Sequence, residues 1–507
     1  MQRILICALL CQVTGVTAAS AVDNQTAPAV HSNERPNVLV IIADDLMKQV
    51  GVYGYDFVET PNLNRLTKES MLFDRAYCQY PLCGPSCASL FLSTYPSNSE
   101  ITCNQGGKSS NVQKKAERLG IKTMPAHFRE HGYVTVGGGK LYHDTVLPET
   151  ESAKLDFSVV LPSKGKDGVN VKDPKTKDKR TRITSASEFG VYEHKDGALV
   201  KNAKQWLQQR AKKSASKPFF MCVGLKKPHS PYAAPKRFFN LHQREAMQIT
   251  DIKPPGDILT HYSLSFPNAL LSVHADKQQY DAYSLPAAKK KEMMQGYAAC
   301  VSYADFLVGD LLDSLKQTGF DDNTIVVFTS DHGYKLGEYD RWAKFTLHEK
   351  DAVVPLIVRV PGLQSGHNAK SDAIVGLIDL YPTLATLCDV PVPPGIDGIS
   401  FASTLRDKQS SAREYIHTFV TRAERTTSDN VTHPKAIGAS ATHRNGYRYT
   451  QWWQGEPATF PSRSPILGVE LYDHYHKSNS PISQRNISAV APDRVKEMQE
   501  NCRLVTD

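Results

Sequence analysis

The chain has 507 residues, of which 40% are hydrophobic, so it is long enough to bury a large core. Ten cysteines are too few for a disulfide scaffold in so long a chain. The net charge of +8 is modest, and no recognisable nucleic-acid-binding motif accompanies it, so we expect no nucleic-acid partner. The densest basic run, residues 164–182, predicts a solvated loop or, alternatively, a surface that attracts a polyanionic polysaccharide.

The first 21 residues have the features of an export signal. Arg3 supplies a positive start, residues 4–10 form a short apolar run, and residues 17–21 are small and suited to cleavage. The apolar run is too short to cross a bilayer, and no later stretch is long and apolar enough. We therefore predict a signal peptide over 1–21, a disordered linker over 22–35, no membrane span, and a secreted, periplasmic or lysosomal location.

Buried strands and helical segments alternate from residue 37 to residue 360. Runs rich in β-branched residues predict strands at 37–43, 133–136, 219–223, 324–329 and 356–360, and helical periodicity predicts helices at 62–70, 124–131, 198–211 and 289–315. This alternation predicts an α/β fold with a mostly parallel central sheet flanked by helices. In such folds ligands bind beyond the carboxyl ends of the strands.

The pattern of predicted secondary structure changes near residue 411. Short strands are predicted at 415–420, 447–453 and 469–472, followed by a helix at 492–503. We therefore predict a catalytic domain over 36–410 and a smaller antiparallel C-terminal subdomain over 411–507. Residues from about 235 to 287 have no clear periodicity, and we expect them to form a surface insertion that shapes a substrate cleft.

Acidic residues follow two of the predicted strands. Asp44 and Asp45 come directly after the first strand, and Asp331 and His332 follow residues 324–330. An isolated Asp-Asp pair is more often a turn or a helix cap. Two strand ends that supply carboxylates and a histidine to one edge of a sheet instead form a mostly oxygen-lined site, which suits a hard cation such as calcium.

Cys83 lies between these two acidic groups in the sequence. Pro85 suits the first turn of a helix, and the apolar residues after it continue with helical periodicity. Cys83 would then lie at a helix N-terminus, where free N–H groups and the helix dipole favour an anion. A lone cysteine is usually structural, but together with the acidic strand ends Cys83 is a candidate nucleophile.

An ordered set of motifs connects these residues. It comprises residues 36–45, 60–62 and 83–86, then 139–143, 227–231, 330–338, 342–344, 354–356 and 379–384. In this order they resemble the type I sulfatases of the alkaline-phosphatase-like superfamily, over roughly residues 35–405. The sequence around Lys227, Trp342 and Tyr447 is most similar to the iduronate-2-sulfatases.

The resemblance implies a role for each matching residue. Cys83 would be oxidised to formylglycine, whose hydrate attacks sulfur, by a formylglycine-generating or an anaerobic sulfatase-maturating enzyme. One calcium ion would be bound by Asp44, Asp45, Asp331, His332 and the formylglycine at position 83. Lys140 and Lys344 would neutralise the sulfuryl oxygens, His229 would protonate the leaving alcohol, and His143 would accept a proton from the diol. For these lysines and histidines the structural alternative is a surface lysine or a histidine whose hydrogen bonds are satisfied.

The resemblance also implies a sulfated carbohydrate as the substrate. In the iduronate-2-sulfatase branch this would be a 2-sulfated uronic acid in a glycosaminoglycan or an algal-type polysaccharide. A phosphate or phosphonate ester is the alternative within the superfamily, although the corresponding phosphatases usually carry two metals and additional histidine ligands.

One position departs from the family signature. Where the family has an arginine two residues after the proline, this chain has Cys87, and residues 92–94 replace the usual Leu-Thr-Gly. Cysteine lacks the charge and the planar donors of arginine. Three alternatives follow: modification of Cys83 despite Cys87, with Lys140 supplying the missing charge; an inactive binder of sulfate or polysaccharide; or an unmodified Cys83 that acts in a different hydrolysis. The intact metal-binding residues favour the first.

Overall fold

The structure is a computed structural model. It describes residues 35–146, 148, 150–166, 183–213, 217–250, 252, 260–264, 285–426, 432–455, 465–474 and 485–501. The predicted signal peptide, nearly all of the predicted linker, most of the basic run 164–182 and much of the expected insertion 235–287 lie outside these residues.

In the described part of the chain, helices and strands alternate from residue 37 to residue 406, and strands dominate after that. The strands are β1 (Asn37–Asp44), β2 (Met71–Tyr77), β3 (Val134–Gly139), β4 (Val159–Leu161), β5 (Thr184–Ser187), β6 (Phe219–Pro228), β7 (Tyr232–Pro235), β8 (Thr324–Ser330), β9 (Lys335–Leu336), β10 (Trp342–Ala343), β11 (Val353–Arg359), β12 (Ala369–Gly376), β13 (Tyr415–Arg422), β14 (Arg425–Thr426), β15 (Thr432–His433), β16 (Ala436–His443), β17 (Tyr447–Gln454) and β18 (Ile466–Asp473). The α-helices are α1 (Pro61–Thr67), α2 (Cys83–Leu92), α3 (Pro96–Ser99), α4 (Ser109–Arg118), α5 (Met124–Glu130), α6 (Glu151–Asp156), α7 (Lys195–Ala211), α8 (Lys236–Phe239), α9 (Thr260–Ser263), α10 (Ala287–Gln317), α11 (Glu349–Ala352), α12 (Leu380–Leu387), α13 (Ala402–Arg406) and α14 (Pro492–Asn501).

The main sheet has eight strands in the order β12-β2-β11-β8-β1-β6-β3-β4. All of its neighbours pair in parallel except β11, which runs antiparallel to both β2 and β8. The prediction of a mostly parallel sheet is confirmed. The predicted strand 356–360 belongs to this sheet as part of β11, but it runs in the opposite direction to the others.

The sheet is buried on both faces, and its central strands are apolar at most positions. Along β1, Leu39 and Ile41 join the core on one face, and Val38 and Val40 join the core on the other. Helices α1, α7 and α10 cover the first face, and α2, α4, α5 and α12 cover the second. Fully burying one such aliphatic side chain contributes about 1.5–3 kcal/mol, so the two faces stabilise the sheet and fix the positions of its strand ends.

A second sheet follows in the chain. Its strands β13-β16-β17-β18 are antiparallel throughout, which confirms the predicted antiparallel C-terminal structure. The predicted strands at 415–420, 447–453 and 469–472 correspond to β13, β17 and β18, and β16 was not predicted. The predicted helix at 492–503 corresponds to α14, and its last two residues lie outside the described chain. The domain boundaries at 36, 410 and 411 stay predictions.

Within the described part of the chain, no helix is both long enough and apolar enough to cross a membrane. The described cysteines are all free thiols.

Candidate active site

The carboxyl ends of β1 and β8 bring together the acidic residues that the sequence places after them. Asp44 is the last residue of β1, and Asp45 follows with a φ of 67°, a left-handed conformation that is uncommon for a residue other than glycine. The Asp45 N–H donates to Oδ1 of Asp331 at 3.1 Å, which joins the two strand ends directly. Asp44, Asp45, Asp331 and His332 are all buried.

Cys83 lies among these residues at the start of α2. Its sulfur is 3.3 Å from Oδ1 of Asp44, 3.5 Å from Nε2 of His332 and 3.0 Å from Nζ of Lys344. The helix begins at Cys83 with Pro85 in its first turn, as the sequence predicts. The side chain is 1% exposed, so any reaction at this sulfur takes place away from bulk water.

Two lysines compensate the negative charge of the cluster. Lys140, which follows β3, forms an ion pair with Asp44, and Lys344, which follows β10, forms one with Asp45. Burial alone would raise the pKa of Asp44, but the neighbouring positive groups, Lys140 foremost and then His229, Lys344 and His332, together outweigh burial and hold that pKa well below its usual value. Burial raises the pKa of Asp331 well above its usual value.

The two predicted histidines lie at the same edge of the sheet. Nε2 of His229 is 3.8 Å from Oδ2 of Asp45, and its Nδ1 is 2.6 Å from the carbonyl oxygen of Ser230. Burial lowers the pKa of His229 to about 3. His143 lines a cavity together with Lys140 and His229, and burial lowers its pKa too. Its Nδ1 is buried and has no hydrogen-bond partner in the described part of the chain.

The donor set fits a hard cation. Ligand atoms from Asp44, Cys83, Asp331 and His332 all lie within 4.8 Å of one another, and so do those from Asp44, Asp45, Cys83 and His229. Together these residues supply three carboxylates, two imidazoles and the Cys83 thiol, and the carboxylates match the oxygen-rich coordination that calcium or magnesium prefers. A zinc site would instead favour sulfur and nitrogen ligands.

Two residues that position the site were not found from the sequence. Asn104 accepts a hydrogen bond from the Gly84 N–H through Oδ1 at 3.1 Å, which fixes the first turn of α2. Tyr297 of α10 donates its hydroxyl to the Asp45 carbonyl at 2.7 Å and accepts from the Met47 N–H at 2.9 Å. Neither residue follows a buried strand or belongs to a motif, so the sequence carries no signal for it.

Comparison with known proteins agrees with this geometry. The Sulfatase family model matches residues 36–390. A sulfatase from Formosa agariphila is 28% identical over 89% of this chain and 83% of its own length. The iduronate 2-sulfatase of Homo sapiens is 30% identical over 71% of this chain and 70% of its own length. A phosphonate monoester hydrolase from Silicibacter pomeroyi shares the fold, with a TM-score of 0.69, 20% identity, and coverage of 93% of this chain and 95% of its own.

The chain therefore belongs to the sulfatase family. It is a sulfuric ester hydrolase with an alkaline-phosphatase-like fold, and iduronate 2-sulfatases are among its relatives.

Proposed function

We propose that the chain hydrolyses the sulfate ester of a 2-sulfated uronic acid in a polysaccharide, through a formylglycine made from Cys83 and one bound calcium ion. The observation that carries the proposal is the position of the Cys83 sulfur, between the carboxylate of Asp44 at 3.3 Å and the ammonium group of Lys344 at 3.0 Å. A nucleophile at this position would meet a sulfate whose oxygens the ammonium groups of Lys344 and Lys140 neutralise, while the Asp44 carboxylate would help to hold the calcium ion.

Asp44, Asp45, Asp331 and His332 would hold the calcium ion, with formylglycine at position 83 as a further ligand. When bound, calcium would act as a Lewis acid that withdraws charge from the sulfuryl oxygens, and formylglycine would supply a hydrated aldehyde as the nucleophile. Both fit the observed cluster, because its carboxylates point to one place beside Cys83.

The lysines bind and orient the sulfate. Lys140 and Lys344 already pair with the carboxylates of Asp44 and Asp45, so their ammonium groups lie on either side of the cluster. Charge that develops on sulfuryl oxygens beside them would be stabilised by these ammonium groups.

The histidines move protons. With Nδ1–H of His229 donated to the Ser230 carbonyl, Nε2 faces the cluster and can carry the proton that the leaving alcohol needs. The negative charge of a bound sulfate ester favours this protonated ring, because it opposes the effect of burial on the pKa. His143 is neutral because burial lowers its pKa, so it is suited to accept a proton from the diol.

Cys87 replaces the signature arginine but does not oppose the proposal. Its side chain is 2% exposed and packs in the apolar core on the α2 face of the sheet. The site already contains two ammonium groups close to Cys83, so the charge that arginine would supply is available from Lys140 and Lys344. A maturation enzyme that accepts cysteine at this position is required.

The proposal is tested first by peptide mass spectrometry across residues 83–87 on protein purified from its native host. Formylglycine at position 83, with release of sulfate from a 2-sulfated uronate, is the expected result. Unmodified Cys83 together with the absence of sulfate release would point to a sulfate or polysaccharide binder. Hydrolysis of a phosphonate ester in preference to sulfate esters would instead favour the other activity found with this fold.

A further inference from the structure

A cavity of about 240 Å³ lies beside the proposed catalytic groups. Lys140, His143 and His229 line it at the carboxyl ends of β3 and β6. The same cavity is lined by Lys195, the first residue of α7, and by Lys226 near the end of β6. Both of these lysines are half-buried, and the roles assigned to the site above use neither of them.

Asp196 holds the two lysines next to each other. Its buried carboxylate accepts hydrogen bonds from the N–H of Lys226 at 2.9 Å and from the N–H of Lys227 at 2.8 Å. These hydrogen bonds therefore join the start of α7 to the end of β6. A third hydrogen bond, from the Lys140 N–H to the Gly224 carbonyl at 2.9 Å, joins the end of β3 to β6. Three lysine side chains thus converge on one cavity from three elements.

Lys195 lies in the first turn of the 17-residue helix α7. The same turn contains Asp196, whose carboxylate accepts from the backbone N–H groups of Lys226 and Lys227 and which also lines the cavity. A negatively charged ligand at this end of α7 would meet both the Lys195 ammonium group and the positive end of the helix dipole.

We propose that Lys195 and Lys226 bind the carboxylate of the uronic acid whose sulfate lies beside Cys83. This inference rests on the proposed function and specifies which feature of the substrate the enzyme selects. A cavity of about 240 Å³ is small beside the ~300–1,000 Å³ usual for ligand sites, so it accepts one sugar ring. With the sulfate at Lys140 and Lys344, the second anionic group of the same ring meets the second pair of lysines.

The test uses the variants Lys195→Gln and Lys226→Gln, alone and combined, in the mature full-length protein. The substrates are a 2-sulfated uronate disaccharide, the same disaccharide with its carboxylate reduced to an alcohol, and a small aryl sulfate. We expect kcat/KM for the uronate to fall about tenfold in each single variant and about a hundredfold in the double variant, mainly through KM. Activity on the reduced sugar and on the aryl sulfate stays within about twofold.

Two matched variants control for charge and folding. Lys201→Gln removes the same charge from an exposed position on α7 outside the cavity lining, and it should leave all three activities unchanged. The double variant Lys195→Arg/Lys226→Arg keeps both charges and should restore most of the preference for the uronate. A double Gln variant that still prefers the uronate over the reduced sugar to the wild-type extent would overturn the inference.

Binding measurements separate this inference from the proposed function. In protein carrying Cys83→Ala, calorimetry compares the affinities for the sulfated uronate and for its reduced analogue, with and without the two Gln substitutions. Loss of discrimination in the double variant supports the inference even if the native protein releases no sulfate, a result that would refute only the proposed function. Equal affinities for the two sugars before any lysine is changed would overturn the inference, whatever the enzyme hydrolyses.

Discussion

At the scale of single residues, Cys83 and Cys87 form a natural comparison, because they lie one turn apart on α2 and both are buried. Only the Cys83 sulfur has carboxylate, ammonium and imidazole groups within 3.5 Å. We predict that Cys83→Ala lowers kcat on a sulfate ester at least about a thousandfold, whereas Cys87→Ala leaves kcat within about twofold. Steady-state assays of the two purified variants check this difference.

The same pair controls for stability. In protein that is unmodified at position 83, each substitution removes one sulfur atom from a buried position, so each should lower the free energy of unfolding by about 1 kcal/mol relative to that protein. Denaturant unfolding of both variants measures this cost. If Cys87→Ala abolished activity while position 83 still carried formylglycine and the stability matched that of Cys83→Ala, Cys87 would take part in the chemistry and the roles assigned here would be wrong.

At the scale of elements, the sequence predicts those strands that are buried along their whole length on both faces of the sheet. Strands β1, β6 and β8 are apolar along nearly their whole length because helices cover both faces, and their runs are visible in the sequence. Strand β2 was not predicted, since Asp74 and Arg75 interrupt its apolar pattern. Strand β12 lies at the edge of the sheet and begins with partly exposed residues, so it has no continuous run.

The residues of the candidate site divide in the same way into those that the sequence predicts and those that it does not. Residues directly after buried strands, such as Asp44 and Asp331, were predicted together because parallel strands end at one edge. Tyr297 and Lys195 lie near the site but belong to helices α10 and α7. The apolar pattern of these helices predicts only that they pack against the sheet. The positions of Tyr297 and Lys195 depend on how the helices pack there, and the local sequence does not predict this.

The contact between α1 and α10 allows a prediction at this scale. Asp305 of α10 accepts hydrogen bonds from the N–H of Asn62 at 3.1 Å, from the N–H of Leu63 at 2.9 Å and from the Asn62 side chain at 2.9 Å. It thereby caps the start of α1 from another helix. We predict that Asp305→Ala lowers the free energy of unfolding by about 1–3 kcal/mol, because buried donors lose their acceptor. Chemical denaturation measures the change.

Asp313, two turns further along α10, provides the matched control. It forms an ion pair with Arg65 of α1 at 2.7 Å, and both side chains are about half exposed. Such surface pairs contribute about 0–1 kcal/mol, so Asp313→Ala should cost clearly less than Asp305→Ala. Equal costs for the two variants would show that Asp305 acts only as a charge and that its capping hydrogen bonds contribute little.

At the scale of the whole molecule, the C-terminal sheet holds the chain segment that leads from β2 to Cys83. The Phe419 N–H of β13 donates to the Gln79 carbonyl at 2.9 Å, and the Thr418 hydroxyl donates to the Cys78 carbonyl at 2.7 Å. The Tyr80 hydroxyl is 2.7 Å from that of Thr421. Cys78, Gln79 and Tyr80 lie between the end of β2 and Cys83. The C-terminal sheet therefore fixes the segment that delivers the start of α2 to the site.

The stability of the whole molecule should depend on pH through Asp156, which joins several elements on the α5 face of the sheet. Its buried carboxylate accepts from Gln113, Thr123 and Tyr142, and burial raises its pKa to about 6. The folded state then holds a proton that the unfolded chain releases near pH 4, so this contribution is complete below about pH 4 and is lost as the pH rises through 6. Asp156→Asn imitates the protonated group and should remove this loss, which urea unfolding of variant and native protein between pH 4 and pH 7 measures. A stability difference between the two proteins that stays constant across that range would show that Asp156 does not titrate in the folded state.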